Sequence, residues 1–248
     1  MATARTAVVE AAAPVGERAR VLDLRLAGEP DADLPAFAGG KYVIVDTGVD
    51  LPNGKRAKRA YSLLACDARD PAVTRFRVAV LRLDGGPGSA ALHAIECGAA
   101  LTFSGPWGKH RAEPSMTGAA LVFATDTGIT AAAGLVASPA FARSGLAARV
   151  VWYVDPGAPF VPEWFVREHL GAAAGCLVVE PGLPAGHPDR VVHALTAATR
   201  HAAGIGAAFL SGDGAVLHPL GEDLVARGLP ADHLRIESFW NNPARKAP

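Results

Sequence analysis

An arginine and a tyrosine alternate in Arg59-Ala60-Tyr61-Ser62. A strand there would put both on one face, with Ser62 turned the other way or ending the strand. A guanidinium so placed can hold a pyrophosphate, and a phenol ring beside it can lie flat on a planar heterocycle. The same letters also suit an ordinary strand with one surface arginine and one half-buried tyrosine. Further on, Gly85-Gly86-Pro87-Gly88-Ser89 opens a short helical stretch that runs to Glu96. Small residues let a backbone approach a phosphate, and a helix start offers free N–H donors. A glycine–proline turn capped by Ser89 explains those letters without a ligand. Their order carries more: Arg-x-Tyr-Ser, a strand, the glycine-rich helix start, then Gly105-Pro106-Trp107-Gly108.

These residues need a frame, and the first half of the chain reads as strands. Segments 5–11, 20–26, 41–47, 59–65, 74–83 and 101–104 alternate or cluster β-branched and apolar residues between Gly/Pro turns. That pattern predicts a small antiparallel barrel or sandwich. Near Pro114 the rhythm changes. Apolar runs at 119–125, 149–154, 176–180, 207–211 and 234–239 alternate with helical stretches at 129–138, 163–170, 191–202 and 215–227. Such alternation predicts a doubly wound parallel sheet that binds ligands at the C-terminal ends of its strands. The expected division is a barrel domain over residues 1–112 and an α/β domain over 113–248.

Composition narrows the function. Of 248 residues, 50% are hydrophobic and 19% charged, so a large core can form and wholesale disorder is excluded. Lys plus Arg and Asp plus Glu both number 24, a balance that argues against nucleic acid or a membrane surface as partner. A small basic patch for an acidic protein remains compatible with it. No apolar run approaches the roughly 20 residues that span a bilayer. Cys66, Cys97 and Cys176 are scattered, and the eight histidines show no ligand spacing, so no metal site is expected. A reducing cytoplasm is the simplest home for these thiols. Walker loops, nucleophile elbows and H-E-x-x-H zinc helices are missing.

The succession of motifs resembles the ferredoxin/flavodoxin–NAD(P)H reductase family, in which a flavin-binding barrel precedes a nucleotide-binding α/β domain. Its strand motif is matched by Gly39-Gly40-Lys41-Tyr42-Val43, its Arg-x-Tyr-Ser by Arg59, Tyr61 and Ser62, and its phosphate turn by Gly86, Gly88 and Ser89. Its Gly-Pro-x-Gly falls on Gly105 to Gly108, and its nucleotide turn on Ala124 to Ile129. Ser211-Gly212-Asp213-Gly214 stands for a Cys-Gly-Pro segment, and Glu237 to Trp240 for the Glu-x-aromatic-aromatic ending. The resemblance implies a FAD-dependent oxidoreductase drawing on NAD(P)H and passing electrons to a separate carrier, such as a ferredoxin, a flavodoxin or an oxygenase component. A separate carrier is expected because the plant-type cluster motif C-x4-C-x2-C is missing.

The resemblance also assigns roles. Arg59 would bind the FAD pyrophosphate, Tyr61 would stack on the isoalloxazine, and Ser62 would sit near flavin N5. Gly86, Gly88 and Ser89 would cradle the phosphate, while Thr127 and Gly128 would meet the NAD(P)H pyrophosphate. Ser211 would lie beside the hydride path, Glu237 near the reacting rings, and Phe239 or Trp240 over the flavin or its adenine. Two departures matter. Asp126 and Asp213 replace a small residue and a proline. A carboxylate about 6 Å from one phosphate charge costs roughly 3 kcal/mol at an effective dielectric of about 20, unless it points away or meets a cation. A flavin-bearing subunit without nicotinamide binding is the alternative these replacements raise. Asp155 stands where NADPH-preferring relatives carry arginine, so NADH is favoured, although Asp155-Pro156-Gly157 also suits a surface turn.

Overall fold

The computed structural model describes residues 4–28, 37–67 and 74–241. Its first half is a strongly curled antiparallel sheet. The strands are β1 (Arg5–Val15), β2 (Ala19–Leu26), β3 (Tyr42–Asp50), β4 (Arg56–Ser62), β5 (Ala65–Asp67), β6 (Arg75–Leu81) and β7 (Ala100–Trp107). They lie in the order β4-β3-β7-β1-β2-β6-β5, with every neighbouring pair antiparallel. Alternation sends Val43, Val45, Phe76, Val78 and Val80 inward, where they meet Val9, Leu22 and Leu24. Phe76 lies 5.2 Å from Phe37 and 5.4 Å from Phe103, ring centre to ring centre, and these rings fill the interior.

The curl closes where the sequence suggests a single strand over 59–65. Leu63 N donates to Lys41 O at 2.7 Å, whereas the next amide, Leu64 N, donates to Arg77 O at 2.9 Å. Adjacent residues thus bond opposite edges of the sheet, and the expected strand splits into β4 and β5. The two leucines also serve different cores: Leu63 fills the barrel, and Leu64 joins the cluster shared with the second half. Helix α1 (Pro87–His93) then covers one end, touching β3 and β6.

The second half is a five-stranded sheet of β8 (Ala119–Thr125), β9 (Ala147–Val154), β10 (Leu177–Pro181), β11 (Ile205–Asp213) and β12 (Leu234–Trp240). The order is β10-β9-β8-β11-β12 and all pairs are parallel, so this half has the doubly wound architecture expected. Its helices are α2 (Ile129–Ala137), α3 (Pro139–Ser144), α4 (Glu163–Leu170), α5 (Arg190–Thr199) and α6 (Gly214–Ala226). Of these, α3 was not expected. Ser138 caps it by accepting from Phe141 N at 3.2 Å, Pro139 occupies its first turn, and Gly145 ends it at φ +73°. The strand order reverses between β8 and β11, the switch point at which such sheets open a crevice.

The barrel rests on the α2–α4 layer, and α5 and α6 cover the opposite face of the sheet. Backbone meets backbone at the seam: a Cβ on Gly39 would fall 1.9 Å from Gly134 O, and one on Gly134 would fall 2.1 Å from Leu63 O. Neither position has room for a side chain. Among the described residues, no helix is long and apolar enough to cross a membrane.

Candidate functional site

On the barrel side, Arg59 and Tyr61 lie two apart on β4, an edge strand, and so share a face with Ala57. Arg59 is exposed, and among the described residues its guanidinium bonds only the adjacent Lys58 carbonyl, at 2.8 Å. Tyr61 is half-buried against the barrel core. Burial pushes its phenol up to about 12 against the pull of the Arg59 cation, so the ring stays neutral. Ser62, buried, ends the strand, and its hydroxyl has no hydrogen-bond partner among the described residues.

The start of α1 adjoins this face. Thr47 links them: its hydroxyl donates to Ala57 O at 2.8 Å, and a Cβ on Gly88 would stand 3.2 Å from its methyl. Ser89 Oγ donates to Gly86 O at 3.0 Å and accepts from Leu83 N at 3.1 Å, which fixes the turn. Gly86 caps the helix without any side-chain bond, so the first amides of α1 keep no intrahelical acceptor. An unshared guanidinium, a neutral ring and free amides around one strand suit a flavin dinucleotide: charge and N–H for its pyrophosphate, a flat face for its ring.

Across the seam, the crevice lies between the ends of β8 and β11. Asp126, Thr127 and Gly128 form a tight turn after β8, with Asp126 in the left-handed region at φ +48°. Gly128 backs directly onto β11, since a Cβ there would lie 2.1 Å from Ser211 O. Thr125 Oγ1 accepts from Asp213 N at 2.8 Å, and Ser211 Oγ donates to Gly128 O at 3.0 Å. Ser211 is fully buried, so its hydroxyl serves this seam between β8 and β11.

Asp126 meets a cation. Arg190, at the start of α5, donates to Asp126 Oδ2 and to Leu183 O, and its Nε lies 3.6 Å from Asp213 Oδ2. Its guanidinium stands 5.4 Å above the centre of the Tyr153 ring. Burial pushes the Asp126 carboxyl above its usual range against the pull of Arg190, and the charges of Asp213 and Asp155 add to the push. Trp152 Nε1 donates to Asp126 O at 2.9 Å, securing the turn from below. Asp155 closes its own loop by accepting from Gly157 N at 2.9 Å.

Glu237 joins the two halves. It lies on β12 opposite Ser211, and its Oε1 accepts from the amides of Lys109 and, at 3.2 Å, His110. Among the described residues, Glu237 Oε2 and His110 Nδ1 are buried without a hydrogen-bond partner. His110 Nε2 donates to Leu210 O at 3.2 Å, and burial holds the ring below the usual imidazole range. In register, Ser238 faces Gly212 and Trp240 faces Asp213, so Phe239 is the extra residue of a bulge. Its ring is 36% exposed and lies 6.3 Å from that of Trp240. Beside Gly108 opens a cleft of about 660 Å³ lined by Lys41, Lys109, Arg111, His218 and Arg235, with Glu113 as the one carboxylate.

The structure therefore gathers Arg59, Tyr61, Ser62, Gly86, Gly88 and Ser89 around one barrel edge. It gathers Thr127, Gly128, Ser211 and Asp155 around the crevice, with Glu237, Phe239 and Trp240 on the outer strand. Arg190 escaped the sequence reading. An arginine following Pro-Asp at a helix start looks solvated, and only the fold brings it to carboxylates 64 and 23 positions away.

Residues 6–111 match the family model of the oxidoreductase FAD-binding domain. The chain is 36% identical over 143 residues to ferredoxin–NADP reductase B of Sorangium cellulosum (strain So ce56), covering 55% of each chain. It thus spans about half the length of this curated relative. Among solved structures, an Amycolatopsis cytochrome P450 reductase is 20% identical with a TM-score of 0.69, over 96% of this chain and 71% of the other. Phthalate dioxygenase reductase is also 20% identical, with a TM-score of 0.68, over 94% of this chain and 67% of the other. At such identities the two structures speak for the fold.

Proposed function

We propose that this chain, a member of the ferredoxin–NAD(P)H reductase family by its FAD-binding domain and two-part fold, is a FAD-dependent oxidoreductase that moves reducing equivalents from NAD(P)H to a separate one-electron carrier. The observation that carries the reading is the Arg59–Tyr61 face beside the start of α1, inside the region that the FAD-binding model matches. When bound, FAD would accept a hydride and release electrons singly. The barrel, taken as residues 1–112, would hold it. Arg59 would neutralise the pyrophosphate with help from the Gly86–Ser89 turn, Tyr61 would support the ring, and Ser62 would offer it a free hydroxyl.

The α/β domain, taken as residues 113–248, would orient the donor. Thr127 and Gly128 would present backbone to its phosphates, and Asp155 would accept from a ribose hydroxyl and repel a 2′-phosphate, which favours NADH. Ser211 and Glu237 would shape the hydride path from within, and Phe239 with Trp240 would cover the flavin. The basic cleft at Lys41, Lys109, Arg111 and Arg235 suits an acidic carrier such as a ferredoxin, a flavodoxin or an oxygenase component. The scattered free thiols suit the cytoplasm. One observation favours a second reading. The Asp126–Arg190–Asp213 cluster places two carboxylates at the crevice mouth, which suits a flavin-bearing electron-transfer or assembly subunit that takes no nicotinamide.

Reconstitution tests the flavin reading. Protein supplied with FAD is expected to purify yellow and to release free FAD on denaturation. Arg59→Ala should lose a charge-assisted contact and weaken FAD binding by about 10- to 100-fold. Protein that stays colourless with ample FAD overturns the reading.

A further inference from the structure

We infer that Arg190 is a positioning residue for the nucleotide donor: it neutralises the carboxylates that would otherwise repel a dinucleotide phosphate from the turn after β8. The inference rests on the NAD(P)H reading and adds the residue that makes it compatible with Asp126. The charges of Asp213 and Asp155 both act on Asp126 at this mouth. Asp213 commits Oδ1 to Ala215 N and to Asn241 Nδ2, both at 3.0 Å, which leaves Oδ2 facing Arg190. Arg190 and Asp213 are nearly sealed, with side chains 3% and 4% exposed, whereas Asp126 is 24% exposed. A phosphate arriving at Thr127 would therefore meet the Asp126 carboxylate first, with the Arg190 guanidinium behind it.

The guanidinium is held in place for that task. Leu183 O and the Tyr153 face anchor it, and Tyr153 is itself fixed by His193 Nδ1 at 3.0 Å and Leu183 N at 2.9 Å. Asp126, Asp213 and Arg190 together carry one negative charge, and without Arg190 they would carry two. At about 6 Å and an effective dielectric of about 20, one such charge weakens phosphate binding on the order of a hundredfold.

Equilibrium titration of oxidised, FAD-loaded protein with NAD⁺ and NADP⁺ tests this without any chemistry. Fluorescence of Trp152, bonded to Asp126, serves as a signal. Arg190→Met should weaken binding by about 10- to 100-fold while FAD content stays at the wild-type level. Adding Asp126→Asn to it should recover about tenfold or more, because asparagine tolerates the left-handed turn without the charge. A purely structural Arg190 would give no such recovery, and that result overturns the inference. So does Arg190→Met binding as tightly as wild type. Should Arg190→Met fail to fold, Asp126→Asn alone decides. It frees the guanidinium and should tighten NAD⁺ binding, and unchanged or weaker binding overturns the inference. Wild-type protein that binds neither nucleotide overturns the donor reading together with the inference. Wild-type binding with no variant effect overturns the inference alone.

Discussion

Asp155 stands at the end of β9, where Oδ1 accepts from Gly157 N at 2.9 Å and the carboxylate charge acts on Asp126. The turn and the charge can be separated. Asp155→Asn keeps an oxygen for Gly157 and removes only the charge, so the protein should fold unchanged. The ratio of kcat/KM for NADPH over NADH should then rise by about tenfold, once a screened 2′-phosphate repulsion is lifted. An unchanged ratio in steady-state assays would remove Asp155 from nucleotide choice. The placement of Arg59 and Tyr61 on one face of a strand that ends at Ser62 could be read from local spacing. So could Asp126 as a charge in need of a partner. The partner could not be read, because the burial of Arg190 depends on β8, β11 and α5 converging. The commitment of the Ser211 hydroxyl to Gly128 O was hidden for the same reason: strands far apart in sequence must first pair.

Among the elements, the alternating and continuous apolar runs located nearly every strand within a few residues, since burial on one or both faces leaves a periodic trace. Leu63-Leu64 defeated that logic. Two consecutive leucines look like a continuing strand, yet each serves a different core. The Phe239 bulge left no trace either, because it exists only in register with β11. The seam between barrel and α4 carries a titratable contact. Arg77 on β6 forks onto Asp23 at 2.7 and 2.9 Å and reaches His169 Nε2 at 3.2 Å, while His169 Nδ1 lies 2.8 Å from Phe165 O. A guanidinium only donates and a carbonyl only accepts, so the ring is neutral with its proton on Nδ1. Burial, and secondarily Arg77, hold His169 below its ordinary value, despite the nearby acids Glu168 and Asp23. Buried His110 is shifted the same way. The unfolded chain takes up protons first as pH falls through about 6.5, so stability present above that pH declines below it. Melting temperature should drop between about pH 6.5 and 5, and His169→Gln should flatten the slope. An equally steep slope in that variant would mean that the seam does not sense pH.

At the scale of the whole molecule, a curled barrel, a helical layer and a parallel sheet set two different surfaces side by side. The barrel edge offers a cation, a ring and free amides, and the sheet offers the crevice at its switch point. Glu237 ties them by binding the connecting segment at Lys109 and His110, and Gly39 and Gly134 let the backbones touch. The basic cleft lined by Lys41, Lys109, Arg111 and Arg235 opens beside this tie. The central claim is that electrons enter from a nicotinamide and leave one at a time. Anaerobic mixing of the FAD-loaded protein with NADH, with NADPH and then with an oxidised ferredoxin tests it most directly. The account predicts that flavin absorption bleaches with a nicotinamide, faster with NADH than with NADPH, and returns when the ferredoxin is added. Flavin that stays oxidised with both nucleotides would contradict the account.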